Sequence, residues 1–184
     1  PRTVSSAASD VYKRQPYFML NELSVSTYDT AFKLTPPLRS EEDRLAVIDA
    51  LADGTIDAIA SDHVPVDGDA KAQPFGPAQP GASGIDTLLA MTLALVHRDR
   101  LPMLRAMECL SLAPASILDL DGGSLSDGAT ADLVMFDPEA GWVVRAADFV
   151  YTSRITPFEG LPVQGRVLAS WVAGETAFKG DRMQ

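Results

Sequence analysis

The alternation of apolar and polar residues predicts an α/β segment over residues 16–120. Residues 30–34 alternate as a short strand does, and prolines 36 and 37 end that strand. A helix is predicted over residues 40–53, because Ser40 is a good N-cap, three acidic residues follow it and Gly54 can end it. Residues 57–61 read as a second, apolar strand. Strand, helix and strand in this order predict a βαβ unit with a parallel sheet.

A long loop follows over residues 62–84, with four prolines and four glycines. Loops of this length inside a compact domain are usually functional. Residues 86–97 are apolar nearly all round, which predicts a helix buried on several sides. Two more short helices are predicted at residues 102–110 and 114–118, each beginning at a proline.

The pattern of apolar and polar residues changes after residue 121. Residues 131–138, 142–144 and 166–174 read as short strands separated by turn residues, and residues 172–176 as a hairpin turn. We therefore divide the chain into residues 1–15, an α/β part over residues 16–120 and a small β-module over residues 121–184.

The first 15 residues show neither helical nor strand periodicity. Residues 10–15 resemble a translation of the transposon end used to prepare DNA for sequencing. We interpret residues 1–15 as a non-native segment or, alternatively, as a disordered native terminus, and we place the start of the fold at Pro16.

The composition narrows the class of protein. The 184 residues are 46% hydrophobic and 22% charged, as in soluble globular proteins. A net charge of −10 argues against binding to nucleic acid or an anionic membrane. Cys109 is the only cysteine, so no intrachain disulfide can form, and a buried inert thiol is expected there. The longest apolar run, residues 88–96, is about half the length of a membrane-spanning helix. We therefore expect a cytoplasmic protein.

The candidate chemistry lies where the second strand meets the long loop. Asp62 follows that strand, and catalytic residues of parallel α/β proteins gather at such strand ends. Its carboxylate could bind a metal or act as a general base; the alternative is a turn-capping aspartate beside a solvent-facing His63. The second histidine, His97, reads as a helix-end residue. With so few histidines, the chain cannot furnish a complete catalytic zinc site, which takes three protein ligands.

Several motifs resemble the second half of a dihydroorotase of the multifunctional-complex type, within the amidohydrolase superfamily. They are KLTPPLRS at residues 33–40, LADGTIDAIASDH at 51–63 and PGASGIDT at 80–87. GATADLVMFDP at residues 128–138 and TPFEG at 156–160 match the C-terminal stretch of that family. The resemblance covers residues 16 to about 179, and allantoinases and hydantoinases are the near alternatives because they share much of the C-terminal pattern.

The resemblance implies the C-terminal part of a (β/α)8 TIM-type barrel of a metal-dependent hydrolase, followed by a small composite β-sandwich. It implies reversible hydrolysis of the cyclic amide of dihydroorotate to N-carbamoyl-aspartate in pyrimidine biosynthesis, with zinc as cofactor. Asp62 matches the aspartate that associates with the metal and shuttles the proton. The family's other metal ligands lie in an N-terminal half that this sequence does not contain, so we expect a fragment that is inactive alone.

The resemblance also names substrate-binding positions. Thr35 stands where active members have asparagine, and Val66 stands where they have a substrate-binding histidine. Pro80 and Gly81 match a step that contacts substrate through backbone groups. The changes at Thr35 and Val66 favour an alternative, a non-catalytic homologue that acts as a structural partner of aspartate carbamoyltransferase. The full-length protein is expected to be an oligomer.

Overall fold

The computed structural model describes residues 12–180, which form two sheets and a set of short helices. Strand β1 (Tyr12–Arg14) pairs in parallel with β2 (Ala58–Ala60). Strands β3 (Leu133–Val143), β4 (Pro162–Val172) and β5 (Glu175–Lys179) form an antiparallel sheet in the order β3-β4-β5. The α/β class predicted from the sequence is confirmed.

The helices are short apart from α2 and α4, and none in residues 12–180 is long and apolar enough to cross a membrane. They are α1 (Pro16–Met19), α2 (Glu41–Asp53), α3 (Gly68–Lys71), α4 (Leu88–Val96), α5 (Met103–Met107) and α6 (Ala113–Ile117). Single 3₁₀ turns occur at Glu22–Val25, Thr30–Phe32, Ile85–Thr87 and Ala146–Asp148.

Helix α2 forms as its sequence predicts. The Ser40 hydroxyl accepts a hydrogen bond from the Asp43 amide at 3.1 Å, and Gly54 ends the helix with φ of 85°. Ile48 and Leu51 are buried, so one face of the helix packs into the core. Because α2 connects β1 to β2, it is the crossover that a parallel pair requires.

The first strand of this βαβ unit is β1, and the strand predicted at residues 30–34 is wrong. Residues Thr30–Phe32 form a 3₁₀ turn because the Asp29 carboxylate accepts the Ala31 amide hydrogen bond at 2.9 Å. Asp side chains compete with strand pairing in this way by bonding to nearby backbone groups. The alternating polar and apolar residues at 30–34 therefore begin in a capped turn and do not form a strand.

Residues 12–15 pair with β2 although we place the start of the fold at Pro16, and residues 1–11 lie outside the described part. The Gln15 amide donates to the Ala60 carbonyl at 2.8 Å and extends the pairing of β1 with β2. Its buried side chain donates to Gly84 O and Thr87 Oγ1, each at 2.9 Å. Ladder hydrogen bonds use backbone groups, so three residues can pair without any periodic pattern of side chains.

The predicted helices after the long loop are present with shifted bounds. α4 is buried along most of its length, as its apolar composition predicts. The two helices predicted at residues 102–110 and 114–118 run into each other through a π-helical turn at Glu108–Leu112. Pro114 explains that turn, since a proline lacks the N–H for a regular helical bond and its ring crowds the preceding turn.

The β-module contains the predicted hairpin. Ala173 and Gly174 connect β4 to β5 with φ of 49° and 81°, as a two-residue type I′ turn requires. Within residues 121–180 the module shares the core of the helices, because Val144, Phe149 and Phe158 belong to the same buried cluster. That cluster also contains the fully buried Cys109, together with Phe18, Ile48, Leu51, Ile56, Ile59, Met91, Leu95, Leu101, Ala106 and Ala146.

Candidate functional site

Asp62 lies two residues beyond the end of β2, in an unusual backbone conformation. Its φ is 55°, in the left-handed region that aspartate tolerates better than most residues. The side chain is 6% exposed, and the Arg14 Nε lies 3.2 Å from its Oδ1. Burial raises the pKa of the Asp62 carboxyl, and the charge of Arg14 offsets only part of that effect. The turn thus presents a largely desolvated carboxylate at the end of the strand pair.

Thr35 lies beside Asp62 at this end of the sheet. One Arg14 guanidinium joins them, because its Nη1 donates to the Thr35 carbonyl at 2.9 Å while its Nε contacts Asp62. Thr35 is exposed and precedes Pro36 through a cis peptide bond. The structure therefore brings together two of the predicted site residues that are 27 positions apart in the sequence.

Gly81 and Val66 pack directly against each other. Gly81 has φ of 126°, and a Cβ on it would lie 2.7 Å from Val64 O and 2.9 Å from Val66 Cγ2. Val66 is 7% exposed, so its methyl groups fill the space against Gly81 and present no polar group. Pro80 is exposed. A Gly81–Lys33 backbone hydrogen bond of 2.9 Å ties this step to the chain leading to Thr35.

The His63 side chain is held by two contacts and does not lie free in solvent. Its Nδ1 accepts the Gly84 amide hydrogen bond at 3.2 Å, and its ring stacks at a tilt on Tyr151 with centroids 4.4 Å apart. A parallel bridge between His63 and Ala82 closes the long loop at this point. The other histidine, His97, caps α4 as predicted, and its Nε2 lies 3.5 Å from Glu139.

A segment of the β-module also borders the site, and sequence reasoning missed it. The Ser153 hydroxyl donates to Val66 O at 2.8 Å, and the Ser83 hydroxyl donates to Ser153 O at 2.7 Å. The Ser83 amide donates to Ile155 O at 2.7 Å. The only available signal was the adjacent TPFEG motif, because irregular segments carry no periodic pattern.

A cleft of about 740 Å³ opens next to the site, between β1 and α2. Its lining includes Arg14, Tyr17, Pro36, Arg39 and Val47. Asp62 and Gly81 are not among the lining residues, so the cleft lies beside the candidate site and not over it.

The described residues do not complete a metal site. In residues 12–180, no three His, Cys, Asp or Glu side chains lie where they could hold one ion together. Asp62 is one carboxylate facing an arginine, whereas a catalytic zinc needs three protein ligands.

Comparison with known proteins identifies the family. The profile of the Amidohydrolase family matches residues 20–177. The chain belongs to the amidohydrolase family. It is 40% identical over 165 residues to a dihydroorotase of Anaplasma phagocytophilum, covering 90% of this chain and 37% of that protein. It is 44% identical over 163 residues to a dihydroorotase of Desulforapulum autotrophicum, covering 89% and 38%.

Solved structures show the same family architecture. An L-hydantoinase (dihydropyrimidinase) from Arthrobacter aurescens superposes with a TM-score of 0.86 at 28% identity, covering 91% of this chain and 39% of that one. A D-hydantoinase (dihydropyrimidinase) from Thermus sp. gives 0.77 at 26% identity, with the same coverages. This amidohydrolase chain spans less than two fifths of each of these relatives. The predicted resemblance is confirmed, and the partial coverage agrees with a fragment.

Proposed function

We propose that this chain is the C-terminal part of a dihydroorotase-like cyclic amidohydrolase. The parent protein reversibly hydrolyses the cyclic amide of dihydroorotate to N-carbamoyl-aspartate, a step of pyrimidine biosynthesis carried out in the cytoplasm. The observation that carries the proposal is Asp62, a buried carboxylate at the end of a parallel strand beside Thr35. The identity of 40% and 44% to two dihydroorotases, over 90% and 89% of this chain, supports the same assignment.

Asp62 is the proton carrier in this proposal. A carboxylate next to the reacting amide can take a proton from the attacking water and return it to the leaving nitrogen. Amidohydrolases are generally metal-dependent, and zinc would supply Lewis acidity and an activated water in the intact parent. Asp62 is the one zinc ligand we assign to this chain, and the remaining ligands must come from outside residues 12–180.

The substrate is held by backbone groups more than by side chains. The Gly81 amide is bonded to Lys33 O, which leaves the carbonyls of Pro80 and Gly81 to accept a hydrogen bond from a ring N–H of the substrate. Thr35 can donate and accept one hydrogen bond through its hydroxyl. Val66 adds only apolar contact, because its methyl groups are packed on Gly81.

The proposed architecture of the parent is a (β/α)8 barrel with a composite β-sandwich. Residues 16–120 would supply the last part of the barrel, and residues 121–184 would supply one part of the sandwich. The parallel pairing of β2 with β1, which lies just before residue 16, through a crossover helix supports this assignment, because a barrel of this type repeats that unit. The superposition on hydantoinase chains supports this assignment.

One observation favours a second candidate function. Val66 is buried against Gly81, so the site lacks the side chain that would grip a charged substrate at this position. A parent with this feature could instead be a non-catalytic homologue that binds aspartate carbamoyltransferase. The superposition on the two hydantoinases keeps a hydantoinase- or allantoinase-type cyclic amidase as a further alternative.

The test compares Asp62→Asn with Asp121→Asn in the full-length parent, purified with zinc and assayed with dihydroorotate, hydantoin and allantoin. We expect Asp62→Asn to lower kcat by about 10²–10⁴-fold, the usual contribution of a positioned acid–base group. The exposed Asp121 serves as the matched control and should leave kcat unchanged. The 184-residue chain alone should be inactive.

The substrate profile separates the candidates. Turnover of hydantoin or allantoin but not of dihydroorotate would replace the proposed substrate. A parent that hydrolyses none of the three but binds purified aspartate carbamoyltransferase would establish the structural role. Equal kcat values for Asp62→Asn and the wild type would remove Asp62 from the reaction.

A further inference from the structure

Lys71 is a buried cation that the proposed reaction does not use. It ends α3, and only 4% of it is exposed. Its Nζ donates to Thr30 O at 2.7 Å and to Lys33 O at 3.3 Å. The Thr30 hydroxyl donates back to Lys71 O at 2.8 Å. The side chain thus links the long loop to a segment about 40 residues earlier in the chain.

Lys33 makes the reciprocal link. Its Nζ donates to the carbonyls of Phe75 and Gly76 at 2.8 Å and 2.6 Å. The same ammonium lies 5.6 Å from the centroid of the Phe75 ring. Each lysine therefore reaches from its own segment to backbone carbonyls of the other, and we call Lys33, Lys71 and these hydrogen bonds the lysine clasp.

The clasp is connected to the candidate site through one atom. The Lys33 carbonyl oxygen accepts both the Lys71 Nζ hydrogen bond and the Gly81 amide hydrogen bond, the latter at 2.9 Å. Gly81 is one of the proposed substrate-binding positions, and Thr35 lies two residues beyond Lys33. A displacement of Lys33 O would therefore move both substrate-binding segments relative to each other.

Burial of the Lys71 ammonium costs free energy that burial of an apolar side chain would not cost. An ammonium taken out of water needs hydrogen-bond partners, and an apolar side chain of similar length would fill the same volume without that requirement. The partners of Lys71 are backbone carbonyls of one segment, which it holds at fixed positions.

We propose that Lys71 is a positioning residue, which through the lysine clasp fixes Gly81 against the segment that carries Thr35. The inference rests on the proposed function, because it concerns the substrate-binding site of that reaction. Lys71 touches no reacting atom in this scheme. Its loss should weaken substrate binding more than it slows the chemical step.

The test uses Lys71→Met and Lys33→Met, with Lys179→Met as the matched control on exposed β5. In the full-length parent with zinc bound, both clasp variants should raise KM for the cyclic amide about tenfold, as expected for one lost charged hydrogen bond. The kcat should change less than about threefold. In the 184-residue chain, amide exchange of Gly81 measured by NMR should be about tenfold faster in Lys71→Met.

The two readouts separate the clasp from the proposed function. A parent that hydrolyses no cyclic amide would refute the function, and Gly81 exchange would then decide on the clasp alone. Gly81 exchange equal to that of Lys179→Met would overturn the clasp. So would a fall in kcat with unchanged KM. If Lys71→Met loses its circular dichroism signal, Lys33→Met decides, because it keeps the Lys33 carbonyl that bonds to Gly81.

Discussion

Replacement of Gly81 by alanine tests the geometry at the centre of the candidate site. Gly81 has φ of 126°, a conformation that residues with a Cβ rarely adopt. The added methyl carbon would lie 2.7 Å from Val64 O, 2.8 Å from Val64 Cγ1 and 2.9 Å from Val66 Cγ2. The valine side chains can turn away, but the Val64 carbonyl is a backbone group and can move only with its loop segment. The Val64 amide is itself bonded to Ala82 O at 2.9 Å, which resists that shift.

The expected cost follows from two contributions. Holding a non-glycine residue in a sparsely populated backbone region costs about 1–3 kcal/mol. Overpacking of a close contact costs about 1–3 kcal/mol more. Gly81→Ala should therefore lower the free energy of unfolding by about 2–6 kcal/mol. For a chain of this size, each kcal/mol lowers the melting temperature by about 2–4 °C.

Gly68→Ala is the matched control, because Gly68 is the first residue of α3 within the same segment of residues 62–84. A Cβ on Gly68 would meet no atom within 4 Å, and its φ is not positive. That substitution should be neutral, or stabilising by about 0.4–1 kcal/mol through a less flexible unfolded chain. Urea unfolding followed by circular dichroism gives both values, with the slope against urea concentration checked for constancy.

A Gly81→Ala variant as stable as Gly68→Ala would refute the expected strain at Gly81. Such a result would mean that the Gly81 turn adapts to a side chain, and that the contact with Val64 and Val66 does not define it. A changed slope against urea would instead mean that the comparison is between different unfolded states.

Three further predictions concern other parts of the chain. Burial lowers the pKa of Lys71 from 10.5 to about 8, so between these two pH values the unfolded chain holds a proton that the folded chain has released. The free energy of unfolding should therefore rise from pH 8 to pH 10.5, and urea titrations of Lys71→Met should show no such rise. Gly165→Ala should destabilise the chain by about 1–3 kcal/mol in calorimetry, because Gly165 has φ of 102° and faces the Leu93 side chain. Restoring asparagine at Thr35 and histidine at Val66 should lower KM about tenfold in a zinc-loaded parent, whereas unchanged kinetics would show that these positions do not contact substrate.

The residues that could be predicted from sequence are those held by local interactions. Helix α2 follows from Ser40 and Gly54, whose capping roles need only their neighbours in sequence. The position of Asp62 follows from the apolar strand before it. The hairpin at Gly174 follows from the positive φ that its turn requires.

The residues that could not be predicted are held by distant segments. Ser153 meets Val66 across 87 positions, and Lys71 meets Thr30 across 41, through hydrogen bonds to backbone atoms that any sequence provides. Strand β1 is a stronger case, because its pairing with β2 uses backbone groups of residues that carry no strand pattern. The misread strand at residues 30–34 failed for the opposite reason, since the local cap of Asp29 overrode an alternating pattern.

The candidate site contains residues of both kinds. Asp62 stands on its own strand and turn, so its position depends on the β2 ladder and on a conformation that aspartate tolerates. Gly81 and Thr35 are placed by a chain of contacts through Lys33, whose carbonyl joins the two segments. Substitutions in that chain should therefore change how a substrate is held while Asp62 stays in place. Under the proposed function, Gly81 and Thr35 would hold the substrate and Asp62 would move the proton, so we expect substitutions in the Lys33 contacts to change KM more than kcat.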